Sequence, residues 1–155
     1  MLDRRPQLFR HVDGNSEFVV DIGHMPLLIT TWFGAPTVEL AKRYTSWFGD
    51  YVRDCRGMGK RFVILDDATR AGRPAPPVRG VLSKSECLPE VVIDRVVVSQ
   101  ERSIRGAVTA LSWITGKQIK SEDTVEAGVR RCLELLDEAK LARPRDFEWK
   151  PAQPS

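Results

Sequence analysis

Two adjacent carboxylates, Asp66 and Asp67, close the apolar run Phe62-Val63-Ile64-Leu65, and Thr69, Arg70 and Arg73 follow within a few residues. Neighbouring carboxylates can share a proton or hold a metal ion. At positions i and i+1 of an extended chain, however, they point to opposite sides, and an aspartate at a strand end commonly serves as a cap. A nucleophile needs a base within hydrogen-bonding reach and a third group to orient it. The two histidines, His11 and His24, stand in the N-terminal stretch and in a turn-like segment, so no catalytic residues and no enzyme activity are expected. Cys55, Cys87 and Cys132 are odd in number, widely spaced and without a Cys-x-x-Cys pair, which reads as reduced structural thiols with no metal site and no cofactor. No glycine pattern of a phosphate loop occurs. Arg102, Ser103 and Arg105 at a helix start are the anion-friendly cluster.

Recognition remains. The stretch from Asp66 to Pro77 contains Gly72, Pro74, Pro76 and Pro77, and reads as an exposed, semi-rigid loop that presents Asp67, Thr69, Arg70 and Arg73. Arg102 and Arg105 follow the next apolar run, Arg95-Val96-Val97-Val98-Ser99. Open α/β sheets meet ligands and partners at the carboxyl ends of their strands, so both groups are expected on one edge as a partner-binding surface.

The elements that must position these residues follow from periodicity. Phe62 to Asp66 reads as a strand buried on both faces, and Val96 to Val98 as its neighbour. Glu17 to Ile22 and Leu27 to Phe33 read as an antiparallel hairpin joined by Gly23-His24-Met25-Pro26, with His24 a turn residue. Thr37 is a good cap for a helix running to about Arg56, whose Leu40, Tyr44, Trp47, Phe48, Tyr51, Val52 and Cys55 share one apolar face. Such an aromatic stripe is core rather than a base-stacking platform. Val78, Val81, Leu82 and Ser85 predict a short helix. Another opens near Glu101 or Ser103, burying Ile104, Ala107, Val108 and Leu111, with Trp113 and Ile114 near its end and Gly116 as its stop. Lys117 to Lys120 is expected as an edge strand, and the last helix is expected to open at Ser121 and bury Val125, Val129, Cys132, Leu133 and Leu136. Residues 1–15 read as an N-terminal arm, 16–140 as one α/β domain, and 141–155 as a proline-containing tail whose Phe147 and Trp149 dock back on the domain.

At 155 residues, 42% hydrophobic and 29% charged, the chain fits one globular domain. Its longest apolar run is well short of the roughly 20 residues of a membrane span, and no apolar leader follows Met1, so a cytoplasmic location is expected. The net charge of +3 comes from 24 basic residues interleaved with 21 acidic ones, which ranks nucleic acid low as a partner.

The order hairpin, helix, strand, helix, strand, helix, short strand, helix over residues 16–140 resembles the STAS fold of anti-sigma-factor antagonists, and more closely the small bacterial STAS-like proteins. The resemblance is carried by Leu28-Ile29-Thr30-Thr31-Trp32-Phe33-Gly34 closing on glycine, Phe62-Val63-Ile64-Leu65-Asp66 ending in aspartate, and Arg95-Val96-Val97-Val98-Ser99. It implies an α/β fold with a single mixed sheet of four to five strands and helices packed on it. It also implies a noncatalytic protein-interaction module of a bacterial regulatory or signalling pathway. The partner is another protein, with self-association left open. Antagonists of that family carry an Asp-Ser-Ser-Gly-like phosphoacceptor site after the aspartate-ending strand. Here Asp66-Asp67-Ala68-Thr69-Arg70-Ala71-Gly72 lacks the serine pair, and Thr69 is the hydroxyl left as a candidate phosphoacceptor. Relatives of the fold suggest an alternative role, a carrier or sensor of a small apolar ligand held between sheet and helices.

Overall fold

A computed structural model of the chain describes residues 7–85, 88–106, 108 and 119–155. Six strands form one mixed sheet in sequence order: β1 (Leu8–Asp13), β2 (Ser16–His24), β3 (Leu27–Gly34), β4 (Phe62–Ala71), β5 (Val92–Val98) and β6 (Ile119–Glu122). The first three pair antiparallel, and β3 through β6 run parallel. The hairpin expected from sequence forms with a tighter connection, because β2 runs on to His24 and leaves Met25-Pro26 as the turn.

Residues 8–13, which the sequence reading leaves in an arm, are instead an edge strand. Leu8 and Val12 stay 54% and 50% exposed, so the stretch lacks the clean apolar and polar alternation of a half-buried strand. What holds it is the ladder to β2 and the inward side of Phe9, which stacks on Trp47 at 5.3 Å.

Helix α1 (Val38–Gly57) starts where Thr37 was expected to cap it. The Thr37 Oγ1 accepts the Leu40 N–H at 3.1 Å, and its hydroxyl donates to Asp13 at 2.5 Å, tying the helix start to β1. Just before it, Gly34 has φ near +70° with the Asn15 carbonyl 3.0 Å from where a Cβ would stand, so β3 has to close on glycine. The expected apolar face is the observed one: Leu40, Tyr44, Phe48, Val52 and Cys55 are buried against Phe18, Val20, Leu28, Phe62 and Ile64, with Trp47 and Tyr51 at its margin.

Helix α2 (Pro76–Ser83) opens two residues earlier than periodicity suggests, because proline suits a first helical turn. A helical stretch at 102–106 follows β5. Of the face expected there, Ile104 and Val108 are half-buried, while Ala107, Leu111, Trp113, Ile114 and Gly116 lie outside the described residues, as do Cys87, Lys117 and Gln118.

The other sheet face carries α3 (Val125–Glu138). Ser121 was expected to cap this helix but belongs to β6, opposite Val97, and Thr124 caps instead, accepting the Ala127 N–H at 3.1 Å. The β5–β6 ladder, extended by the Ser99 N–H donating to the Glu122 carbonyl at 3.0 Å, claims those residues first. Val125, Cys132 and Leu136 then pack on Leu65, Val96 and Val98. At Gly128 the helix comes so close that a Cβ would lie 2.5 Å from Val98 Cγ2. The tail does return to the domain: Phe147 and Trp149 pack on this second core, and Phe147 meets the His24 ring edge-on at 5.1 Å. Farther on, the Ser155 N–H donates to Glu17 at 3.0 Å.

Both described thiols are buried, and burial raises the pKa of each. The nucleophile is the thiolate, so Cys55 and Cys132 should resist a thiol reagent at neutral pH in the folded chain and react once urea unfolds it. Mass mapping of the labelled sites checks this; native labelling at either would place that thiol at the surface.

Candidate functional site

Strand β4 does not end at its aspartates. Because β3 continues beside it in parallel, Thr31 pairs with Asp67, Phe33 with Arg70 and Gly34 with Ala71 across one irregularity. The backbone ladder asks nothing of side-chain polarity, so Asp67 to Ala71, expected as loop, are strand. Only residues 72–75 are left as the connection.

This extension decides where the candidate partner-binding residues stand. Asp67 is 1% exposed rather than displayed on a loop. Its Oδ1 accepts from the Thr69 N–H at 3.0 Å and from the Thr69 hydroxyl at 2.6 Å, while Arg70 lies 3.9 Å from its Oδ2. The guanidinium of Arg70 also covers the Phe33 ring at 4.5 Å. Arg73, in the connection, reaches across to Glu101 at 3.0 Å. On the far side Arg105 donates to the Ser99 carbonyl at 2.7 Å, and Arg102 is exposed. The Arg73–Glu101 pair thus joins the connection after β4 to the segment after β5, and Arg102 and Arg105 stand on that same carboxyl edge. Thr69 and Arg70 belong to the neighbouring strand end, with the Thr69 hydroxyl held by Asp67.

As expected for adjacent positions, Asp66 turns away from Asp67, toward the α1 face. Its Oδ2 lies 3.3 Å from Arg95 Nε, and Arg95 also donates to the Tyr44 hydroxyl at 3.2 Å and crosses the Phe48 ring at 5.2 Å. Burial raises the Asp66 pKa; Arg95 pulls it back and Asp67 pushes it further up. Tyr44 is pushed up to about 12, chiefly by burial, with Arg95 opposing and Asp66 adding to the shift. Beside this cluster a cavity of about 210 Å³ opens between α1, α2 and β5, walled by Trp32, Ala68, Leu82, Val97 and Ile104.

Sequence reasoning missed both the cluster and the cavity. The available signal was Arg95, a cation heading an apolar strand, one strand away from an aspartate that ends another. Among the described residues no three His, Cys, Asp or Glu side chains gather to hold a metal ion, and no helix is long and apolar enough to cross a membrane.

No family model and no curated protein sequence matches the chain. Among solved structures, it is similar to an uncharacterized protein of the DUF3478 family from Shewanella loihica PV-4, described as having a SpoIIAA-like fold. The identity is 13%, the match covers 81% of this chain and 91% of that one, and the TM-score is 0.52. The fold is SpoIIAA-like. That agrees with the STAS-type architecture expected from the strand and helix order; the observed sheet has six strands rather than four to five because β1 joins it. In this SpoIIAA-like fold the buried Asp66–Arg95 cluster sits beneath the carboxyl edge formed by β4 and β5.

Proposed function

We propose that the chain is a noncatalytic interaction module of a bacterial regulatory pathway that meets a partner protein through the carboxyl edge of β4 and β5. The observation that carries this reading is the Arg73–Glu101 pair. It bridges two exposed connections carried by a rigid sheet, so the edge is presented to a partner at low entropic cost. Thr69 is the residue through which phosphorylation would act, since a phosphate there would break its bond to Asp67 and add like charge beside a buried carboxylate.

Arg73 is the clean probe. Arg70 covers Phe33 and faces a buried carboxylate, so its reversal would disturb folding, whereas Arg73 is a surface group in an exposed pair. Arg73→Glu should leave the melting temperature nearly unchanged and weaken capture of partners by the tagged chain about tenfold. Arg73→Glu combined with Glu101→Arg should recover much of that loss by restoring the pair. Undiminished capture by the single variant would move the partner surface elsewhere.

A second reading, a carrier or sensor of a small apolar ligand, is favoured by the cavity between α1, α2 and β5 and by its mostly apolar walls.

A further inference from the structure

We infer that this cavity takes a small, largely apolar molecule bearing one hydrogen-bond-donating head directed at the Asp66 carboxylate; the inference rests on the ligand reading and adds the head group to it. The carboxylate of Asp66 is only 7% exposed and lines the cavity. One oxygen, Oδ2, faces Arg95, while Oδ1 is buried with no hydrogen-bond partner among the described residues. Buried polar atoms are nearly always paired, and an orphaned charged acceptor is costly, so a carboxylate that lines a cavity with one oxygen unsatisfied is completed by a donor that enters there.

The walls then define the rest of the molecule. Trp32, Leu82, Val97 and Ile104 offer an apolar enclosure, and Ala68 leaves the space above the strand open. Apolar cavities of roughly 150 Å³ take up benzene. A volume of about 210 Å³ therefore has room for one ring and a short arm. The arm carries a donor rather than an acid: Asp66 and, one residue on, Asp67 would repel a carboxylate, while the Arg95 guanidinium already serves Asp66 and Tyr44.

Four probes that share a phenyl ring on a two-carbon arm separate the possibilities: 2-phenylethylamine, 2-phenylethanol, ethylbenzene and 3-phenylpropionate, titrated into the full chain while the methyl signals of Val97 and Ile104 are followed by NMR. The amine and the alcohol should bind at least about tenfold tighter than ethylbenzene, and the acid weakest. Asp66→Leu should bring amine and alcohol down to the level of ethylbenzene. If that variant does not fold, Asp66→Asn keeps the shape, and should cut amine binding about fivefold or more while leaving ethylbenzene unchanged. Ala68→Phe should abolish binding of all four. Ethylbenzene binding as tightly as the amine, or the acid binding best, would overturn the head-group assignment while leaving the ligand reading standing. Absence of binding by every probe, or binding that survives filling of the cavity, would overturn the ligand reading itself.

Discussion

Replacing Val96 by aspartate should lower the unfolding free energy by about 4 kcal/mol or more, whereas the same change one residue on, at Val97, should cost less. Val96 is fully buried in the core beneath α3, among Leu65, Val98, Cys132 and Leu136, and the cation opposite it in register, Lys120, is already paired with Asp94. An aspartate there has to protonate, which costs about 1.4 kcal/mol for each pH unit between its ordinary value and neutrality, and the packing of valine is lost as well. Val97 faces the opposite way. It is half-buried at the wall of the cavity, on the side where Arg95 stands, so a carboxylate there keeps access to water and to a cation, which offset part of the repulsion from Asp66 opposite it in register. Urea unfolding of both variants tests the alternation directly; equal costs would mean that β5 does not divide its side chains between two cores.

That division was only partly legible beforehand. Helix α1 could be read because an apolar face recurring over 20 residues, opened by Thr37 and closed at glycine, has one structural interpretation. The buried centre of β4 could be read because a short apolar run bounded by charge is what a doubly covered strand looks like. Its extension through Arg70 could not. Asp67, Thr69 and Arg70 have the composition of a loop, and they are strand because β3 happens to continue alongside. Edge strand β1 was hidden for a related reason, since two of its apolar residues face outward. Of the candidate edge, the grouping of Arg73 with the segment of Arg102 and Arg105 follows from parallel neighbouring strands, a topological inference that a sequence supports. The pairing of Asp66 with Arg95 does not. It depends on register: Val97 stands opposite Asp66 and Ile64 opposite Arg95, which makes the two charges diagonal neighbours on one face. A shift of one residue would have sent Arg95 to the other core.

The dependence on that diagonal pair can be measured through pH. Arg95→Met keeps an apolar stem over Phe48 but removes the cation that lowers the Asp66 pKa. In the folded protein burial already holds Asp66 above its ordinary value of 3.8. A carboxyl whose pKa is raised on folding stabilises the fold fully while it is protonated in both states, and that contribution is lost as pH rises from the ordinary value through the raised one. Without Arg95 the folded value climbs further, so the loss continues over a wider range of pH. The stability gap between the variant and the parent chain should therefore be small near pH 4, widen as the pH rises, and level off above the new Asp66 value. At neutral pH it should reach about 2–3 kcal/mol, below the ceiling of about 4 set by neutralising one carboxyl from its ordinary value up to pH 7. Near pH 4 a remnant of about 1 kcal/mol should persist from the lost bond to the Tyr44 hydroxyl. Taking the difference between the two proteins removes the contributions of carboxylates common to both. Urea unfolding at about pH 4, 6 and 8 checks the course, with circular dichroism confirming that each variant is folded at the start. A gap that stays constant across the series would show that Arg95 holds the fold through packing alone, and that Asp66 finds its compensation from another group.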